Sequence, residues 1–216
     1  MKFFLLAVAC WASSVWGLTS QSSLDRREML SVVAGSSIAA WTSPAWAASE
    51  SLSLETYQDP KTGISLKVPS SWTASVQQLP DRRAVNLWID PKDPKSLVFV
   101  AFTPIRDDFT SLGSFGSVDT VAAQTILPKG QLAGVDVEAK MLSAVSAKQS
   151  YLFDYLQTVP NVQPTTHFRT IFTLQQGATG GAGAVLITVT AQTPEERYKS
   201  ELEGTFEEII GSFSKA

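Results

Sequence analysis

The sequence predicts an α+β domain, an antiparallel β-sheet with helices on its faces. Three observations predict it. Short runs of β-type residues recur along the chain from Gly63 to Thr190. One helix is signalled midway, with Ser117 as its N-cap. The chain then closes on a strongly amphipathic helix after Thr193.

The first fifty residues read as targeting sequence and not as part of that domain. Lys2 precedes an apolar run from Phe3 to Ala12, and Ser13, Ser14 and Gly17 follow. A positive end, a short apolar core and a small-residue exit make a secretory signal peptide, assigned to residues 1–17. The run is shorter than the roughly 20 apolar residues of a membrane-spanning helix. A second signal occupies residues 18–47. Leu18 to Leu24 is rich in Ser and Thr and free of acids, as a plastid transit segment should be. Arg26 and Arg27 then precede a weakly apolar stretch from Met29 to about Trp41, which ends at the small-x-small site Ala45-Trp46-Ala47. Together these features are the address of the twin-arginine route. Two signals in series need two membrane systems in series, an arrangement that resembles the precursors of algae with complex plastids. The expected mature protein is Ala48 to Ala216, delivered to the thylakoid lumen.

Composition narrows the function. Without Lys2, Arg26 and Arg27 the 17 basic residues become 14, and without Asp25 and Glu28 the 20 acids become 18, a mature net charge of −4. A mildly acidic chain gives no electrostatic case for nucleic acid and no basic face for anionic lipid. The single cysteine, Cys10, lies in the removable signal, so a disulfide or a cysteine nucleophile is not expected in the mature chain. No later segment is apolar for long enough to span a bilayer, so the mature protein is expected to be soluble and at most peripheral to the thylakoid membrane.

Residues 48–56 form a short N-terminal arm, and the domain is assigned to 57–216. Ile64, Leu66 and Val68 alternate with Ser65 and Lys67, which makes a strand with one buried face. Turn chemistry at 59–63 precedes it and Pro69 stops it. Val85 to Ile89 and Leu97 to Phe102 are further strands, joined by a loop whose Pro91 and Pro94 forbid ladder bonding. A short helix runs from Ser117 to about Leu127, with Pro128 beyond its end. Met141 to Val145, Tyr151 to Leu156, Phe168 to Leu174 and Val185 to Thr190 are β-type runs. Phe168, Thr170, Phe172 and Leu174 share one face, as do Leu186, Thr188 and Thr190. Four glycines lie in 176–183 between the last two strands. They read as a hairpin loop, because a phosphate cradle would lead from a strand into a helix. In the last element Thr193 is the expected N-cap, Pro194 the first helical residue and Glu196 the closing member of a capping box. Tyr198, Leu202, Phe206, Ile209, Ile210 and Phe213 form its apolar stripe.

Three segments then resemble a known family in order and spacing. Tyr57-Gln58-Asp59-Pro60-Lys61-Thr62-Gly63-Ile64-Ser65-Leu66-Lys67-Val68-Pro69-Ser70-Ser71-Trp72 looks like the opening of a PsbP domain. The segment from Thr103 to Ser117 looks like its central signature. Thr190 to Tyr198 looks like its closing motif, with Tyr198 where the family often has Trp. The resemblance runs from Tyr57 to about Phe213. It implies an α-β-α sandwich on a central antiparallel sheet and no enzymatic chemistry. It also implies an extrinsic lumenal protein of photosystem II that helps the oxygen-evolving complex retain calcium and chloride, or a relative active in photosystem assembly and repair. The partners would be lumenal subunits of photosystem II or photosystem I. The short arm argues for the PsbP-like branch, since the major plant subunit has a longer one.

The search for chemistry finds little. His167 is the single histidine; there is no Gly-x-Ser-x-Gly elbow and no His pair at metalloprotease spacing. Asp107-Asp108 and the Asp90/Asp93 pair read as solvated turns. If the last two long strands pair through the glycine loop, His167 comes near Ala191, with Glu195 close by. One imidazole and one carboxylate make at best a weak divalent-metal site for calcium, manganese or zinc, and tight sites have three or four ligands. The resemblance places divalent binding at matching positions in some PsbP proteins. The alternative is a surface histidine hydrogen-bonded to a helix-start glutamate. For partner binding the candidate is the loop from Arg106 to Phe115, in particular Arg106, Asp107, Asp108, Phe109 and Phe115. The two phenylalanines could equally staple that loop to the core. A lumenal carrier of a pigment or small ligand is the alternative function. Trp72 and Trp88, the two tryptophans outside the targeting segments, sit in no ligand motif and read as core. A hydrolase is disfavoured by the lack of histidine partners.

Overall fold

The computed structural model describes residues 52–79, 83–106, 108–132, 134–176 and 183–215. The targeting segments, residues 48–51 of the arm, Asp107 and most of the glycine loop lie outside them.

Among the described residues twelve strands and two helices follow in chain order. They are β1 (Leu54–Gln58), β2 (Ile64–Pro69), β3 (Thr73–Gln78), β4 (Ala84–Ile89), β5 (Leu97–Ile105), β6 (Gln131–Leu132), β7 (Val135–Asp136), β8 (Glu138–Ala147), β9 (Ser150–Val159), β10 (Gln163–Gln176), β11 (Ala184–Pro194) and β12 (Ser214–Lys215). A 3-10 turn, Leu112–Phe115, precedes α1, which begins as Val118–Val121 and widens into a π-helical Ala122–Ile126. Helix α2 spans 195–211: Glu195–Arg197, a π-helical Tyr198–Leu202, then Glu203–Gly211. The main sheet is antiparallel with strand order β3-β4-β5-β11-β10-β9-β8, and β1-β2-β12 form a small second sheet.

Alternation along the strands divides the interior into two cores. One face of the main sheet offers Val98, Val100, Ile171, Val185, Ile187, Val189 and Ala191 to α2, through Tyr198, Leu202, Phe206, Ile209 and Ile210, and to Ile64, Leu66 and Val68 of β2. The other face offers Tyr151, Phe153, Tyr155, Phe168, Phe172 and Leu186 to Val121 and Ala122 of α1. The result is the expected α-β-α sandwich. Trp72 and Trp88 are core residues, each 5% exposed. Among the described residues no helix is long and apolar enough to cross a membrane.

Local signals hold at two turns. Ser117 Oγ accepts from the Thr120 N–H at 3.3 Å and caps α1. Asp59 Oδ2 gathers the N–H groups of Lys61 and Thr62 and the Thr62 hydroxyl, closing the turn into β2 with Gly63 at φ 70°. Tyr57 donates to Asp59 Oδ1 and accepts from the Asn86 amide, which ties the small sheet to β4. Burial and the adjacent Asp59 carboxylate push its hydroxyl up to about 12.

Several expectations are corrected. The last residues of the arm, from Leu54, belong to β1, which pairs β2 with Tyr57 opposite Leu66. Thr193 is no N-cap. It is a fully buried β11 residue whose hydroxyl lies 2.6 Å from Ser96 Oγ, and α2 starts after Pro194 with no side-chain cap. Asp90 is not solvated. It is 3% exposed and lies 2.6 Å from Arg197, whose guanidinium also reaches Asp93, Ser96 and Glu201. This pairing holds the β4–β5 loop against α2.

Candidate functional site

His167 lies on the α2 face of β10. Its side chain is 4% exposed, so it is buried and not the surface histidine that was the alternative. The β10–β11 register places it opposite Thr193; Ala191, two residues back, faces Arg169 instead. The shift follows from β11 running on to Pro194. That extension brings Glu195 onto the imidazole: Nδ1 lies 2.5 Å from Glu195 Oε2. The other nitrogen, Nε2, lies 2.7 Å from Asp154 Oδ1 on β9. The ring stacks on Tyr198, with centroids 3.6 Å apart and planes at 15°. Around this centre Lys199 pairs with Glu195 at 2.7 Å. Arg169 reaches Asp154 at 3.8 Å and Glu207 at 3.3 Å, and donates to the Tyr198 hydroxyl at 3.3 Å. Three strand or helix segments, β9, β10 and the start of α2, are therefore clasped by one imidazole. Asp154 had no signal beyond being an acid in the middle of an apolar strand, Tyr151-Leu152-Phe153-Asp154-Tyr155-Leu156.

Two carboxylates on two ring nitrogens call for an imidazolium that donates from both. Burial alone would lower the His167 pKa, but the hydrogen bonds and charges of Asp154 and Glu195 outweigh it and hold it above the ordinary histidine value. Burial likewise would raise Glu195, yet Lys199 and His167 keep it below the usual carboxylate range. This arrangement does not fit a divalent ion. Each nitrogen already has a hydrogen-bond partner, so no lone pair is left for a metal. The two acids sit on opposite ends of the ring. Among the described residues no group of three or more His, Cys, Asp and Glu side chains converges on a common point.

The proposed contact loop divides into two parts. Phe115 packs edge-on against Phe172 at 5.3 Å, and Phe109 lies on Phe115 at 4.6 Å. Gln176 Nε2 donates to the Phe109 carbonyl at 3.1 Å. Both rings are half-buried and fasten the loop to the α1-side core. Arg106 and Asp108 remain exposed and pair with each other at 3.1 Å; Asp107 is outside the described residues. Replacing Phe115 with Ala should therefore cost roughly 2 kcal/mol, below the 3–5 kcal/mol of a fully buried Phe, and lower Tm by several degrees. Arg106→Glu should leave Tm within about 2 °C, because exposed substitutions usually stay within ±0.5 kcal/mol. Thermal unfolding of both variants checks the division.

Fold and site together define an α-β-α domain that buries its one histidine in an ion-paired clasp, pins the β4–β5 loop to its last helix through Arg197, and leaves Arg106 and Asp108 to solvent. The PsbP family model matches residues 52–215, and the chain belongs to that family. PsbP domain-containing protein 3, chloroplastic, from Arabidopsis thaliana is 25% identical over 174 residues, covering 79% of this chain and 68% of the relative. The solution structure of cyanobacterial PsbP (CyanoP) from Synechocystis sp. PCC 6803 shares the fold. It has a TM-score of 0.55 and 20% identity, and the match covers 76% of this chain and 94% of that one.

Proposed function

We propose that this chain is a non-enzymatic accessory protein of the thylakoid lumen that docks on a photosystem, with photosystem II as its first partner. There it supports the oxygen-evolving complex, including calcium and chloride retention, or photosystem assembly and repair. Family membership across residues 52–215 is the observation that carries the reading. The plastid address read in residues 18–47 and the chloroplastic relative support it.

The geometry suits docking. The sheet is cross-tied by buried ion pairs, so it presents a rigid surface that loses little entropy on binding. His167 is shielded from solvent with both nitrogens engaged, which removes it as a general base in this conformation. Trp72 and Trp88, the side chains a pigment carrier would offer, are taken up by the core. An acidic domain meets basic lumenal patches, and such contacts weaken as salt rises. Washing isolated thylakoids with molar salt should release the intact protein, and at low salt native gels should show it with a photosystem complex. A protein that is free in the lumen at low salt and migrates with neither photosystem, even during assembly, would overturn the proposal.

A further inference from the structure

The main sheet ends on two unlike edges. β8 is guarded: its register against β9 shifts between Met141 and Ser143, and Glu138 and Lys140 stand on it. Bulges and edge charges both discourage the addition of another strand. β3, with the sequence Thr-Ala-Ser-Val-Gln-Gln, has neither. It carries no charge and no proline, and its register against β4 runs unbroken from Thr73 opposite Ile89 to Gln78 opposite Ala84. Every residue of it except Ser75 is exposed. Val76, at its centre, is 69% exposed, the highest value among the large apolar side chains described.

The hairpin fixes which backbone groups face outward. The Leu79 N–H donates to the Arg83 carbonyl at 2.8 Å. Hydrogen-bonded pairs alternate along an antiparallel ladder. Gln77, Ser75 and Thr73 therefore direct their N–H and C=O groups at β4. Ala74, Val76 and Gln78 direct theirs at the open edge.

We infer that β3 is a self-association edge, on which two copies of this chain pair β3 antiparallel to β3 about a two-fold axis at Val76. One register is singled out. With Val76 opposite the partner's Val76, Ala74 falls opposite the partner's Gln78 and the reverse, so all three outward residues form hydrogen-bonded pairs. Centring the axis on Ser75 or Gln77 engages only two of the three. In the chosen register facing residues point to the same side of the sheet, so the two exposed valines cover each other. No like charges meet, although the chain as a whole is acidic. The cover each Val76 gives the other, on a strand without charge, is what favours a second copy over an unrelated strand. One strand pair covers far less than the roughly 1,200 Å² of a stable interface, so the association is weak and depends on concentration.

Sedimentation equilibrium of the purified protein over a wide concentration range tests it. The weight-average mass should climb from one protomer towards two. Val76→Lys, which sets two ammonium groups face to face on the axis, should abolish the climb while circular dichroism stays the same. A cross-link gives a second readout, in a chain carrying Cys10→Ser. The Cα atoms of a hydrogen-bonded pair lie about 5.5 Å apart, within disulfide range. Val76→Cys should therefore oxidise to a covalent dimer. Ala74→Cys should not, because its two copies stand four strand residues apart, roughly 13 Å. A constant protomer mass, equal cross-linking of both cysteine variants, or unchanged association of Val76→Lys would each overturn the inference.

Discussion

Replacing Arg197 with Ala is expected to destabilise the domain by about 3–5 kcal/mol, the cost of leaving a buried charge without its partner. The guanidinium holds four groups from two directions. Nη2 lies 2.6 Å from Asp90, Nη1 3.4 Å from Asp93 and 3.0 Å from the Ser96 hydroxyl, and Nε 3.0 Å from Glu201. Glu201 is exposed and adds little. Asp90 decides the magnitude, because only 5% of its side chain is exposed. Its Oδ1 accepts the Lys92 N–H and its own N–H donates to the Ser96 carbonyl, so it is fixed in place and cannot turn to water. Burial alone would lower the Arg197 pKa, but the hydrogen bonds and charges of Glu201 and Asp90 raise it. Lysine should rescue only part of the loss, since one ammonium cannot reproduce this fork of contacts. Asp90→Asn added to Arg197→Ala should recover stability, because no charge is then stranded. Urea unfolding of the three variants measures this. A loss below about 1 kcal/mol for Arg197→Ala would mean that water screens the pair as it does at a surface.

That network also shows where the sequence was legible. Ile64 to Val68 announced itself by a period of two, the imprint of one buried face, whereas Val85 to Ile89 and Leu97 to Phe102 were legible as apolar runs on either side of a proline-bearing loop. β3 left no such imprint, since an edge strand exposed on nearly every residue has no apolar face to alternate. Thr193-Pro194-Glu195-Glu196 is a sound local helix start, but Ser96 claims the Thr193 hydroxyl from a strand far away in sequence. Asp90 looked like a solvated turn for the same reason, as its partner stands on the last helix. The His167–Glu195 contact was legible because only one loop separates the two strands that set it. Asp154 was not, because its approach to His167 depends on how β9 registers against β10, with Leu156 directly opposite the histidine and Asp154 one step along the same face. Periodicity reports burial, whereas partnership between distant polar groups depends on register.

The histidine clasp makes stability depend on pH, with a sign that can be worked out. The native His167 pKa lies above its unfolded value of about 6.5. Its contribution is therefore complete below about pH 6.5 and is lost as pH rises through the native value. The charged groups facing it do not reverse this. Glu195 is held ionised, Lys199 and Arg169 are held protonated, and burial foremost raises the Tyr198 hydroxyl above its ordinary value. The depressed Glu195 pKa describes the same contact from the other side, and its share is lost only in acid. Stability should thus peak in mildly acidic solution and decline towards alkaline pH. His167→Ala should cost about 2–3 kcal/mol at pH 6, the scale of charge-assisted hydrogen bonds reduced by the other partners of Asp154 and Glu195. The cost should shrink by pH 9, where the parent has itself lost the imidazolium. A neutral ring can donate to only one of its two carboxylates, so β9 or the start of α2 loosens first. In a compartment that accumulates protons, the proposed location, the clasp would be closed when proton pumping is active. Urea unfolding of parent and variant at several pH values provides the check. Parallel stability curves from pH 6 to pH 9 would show that the imidazole does not titrate between its two acids.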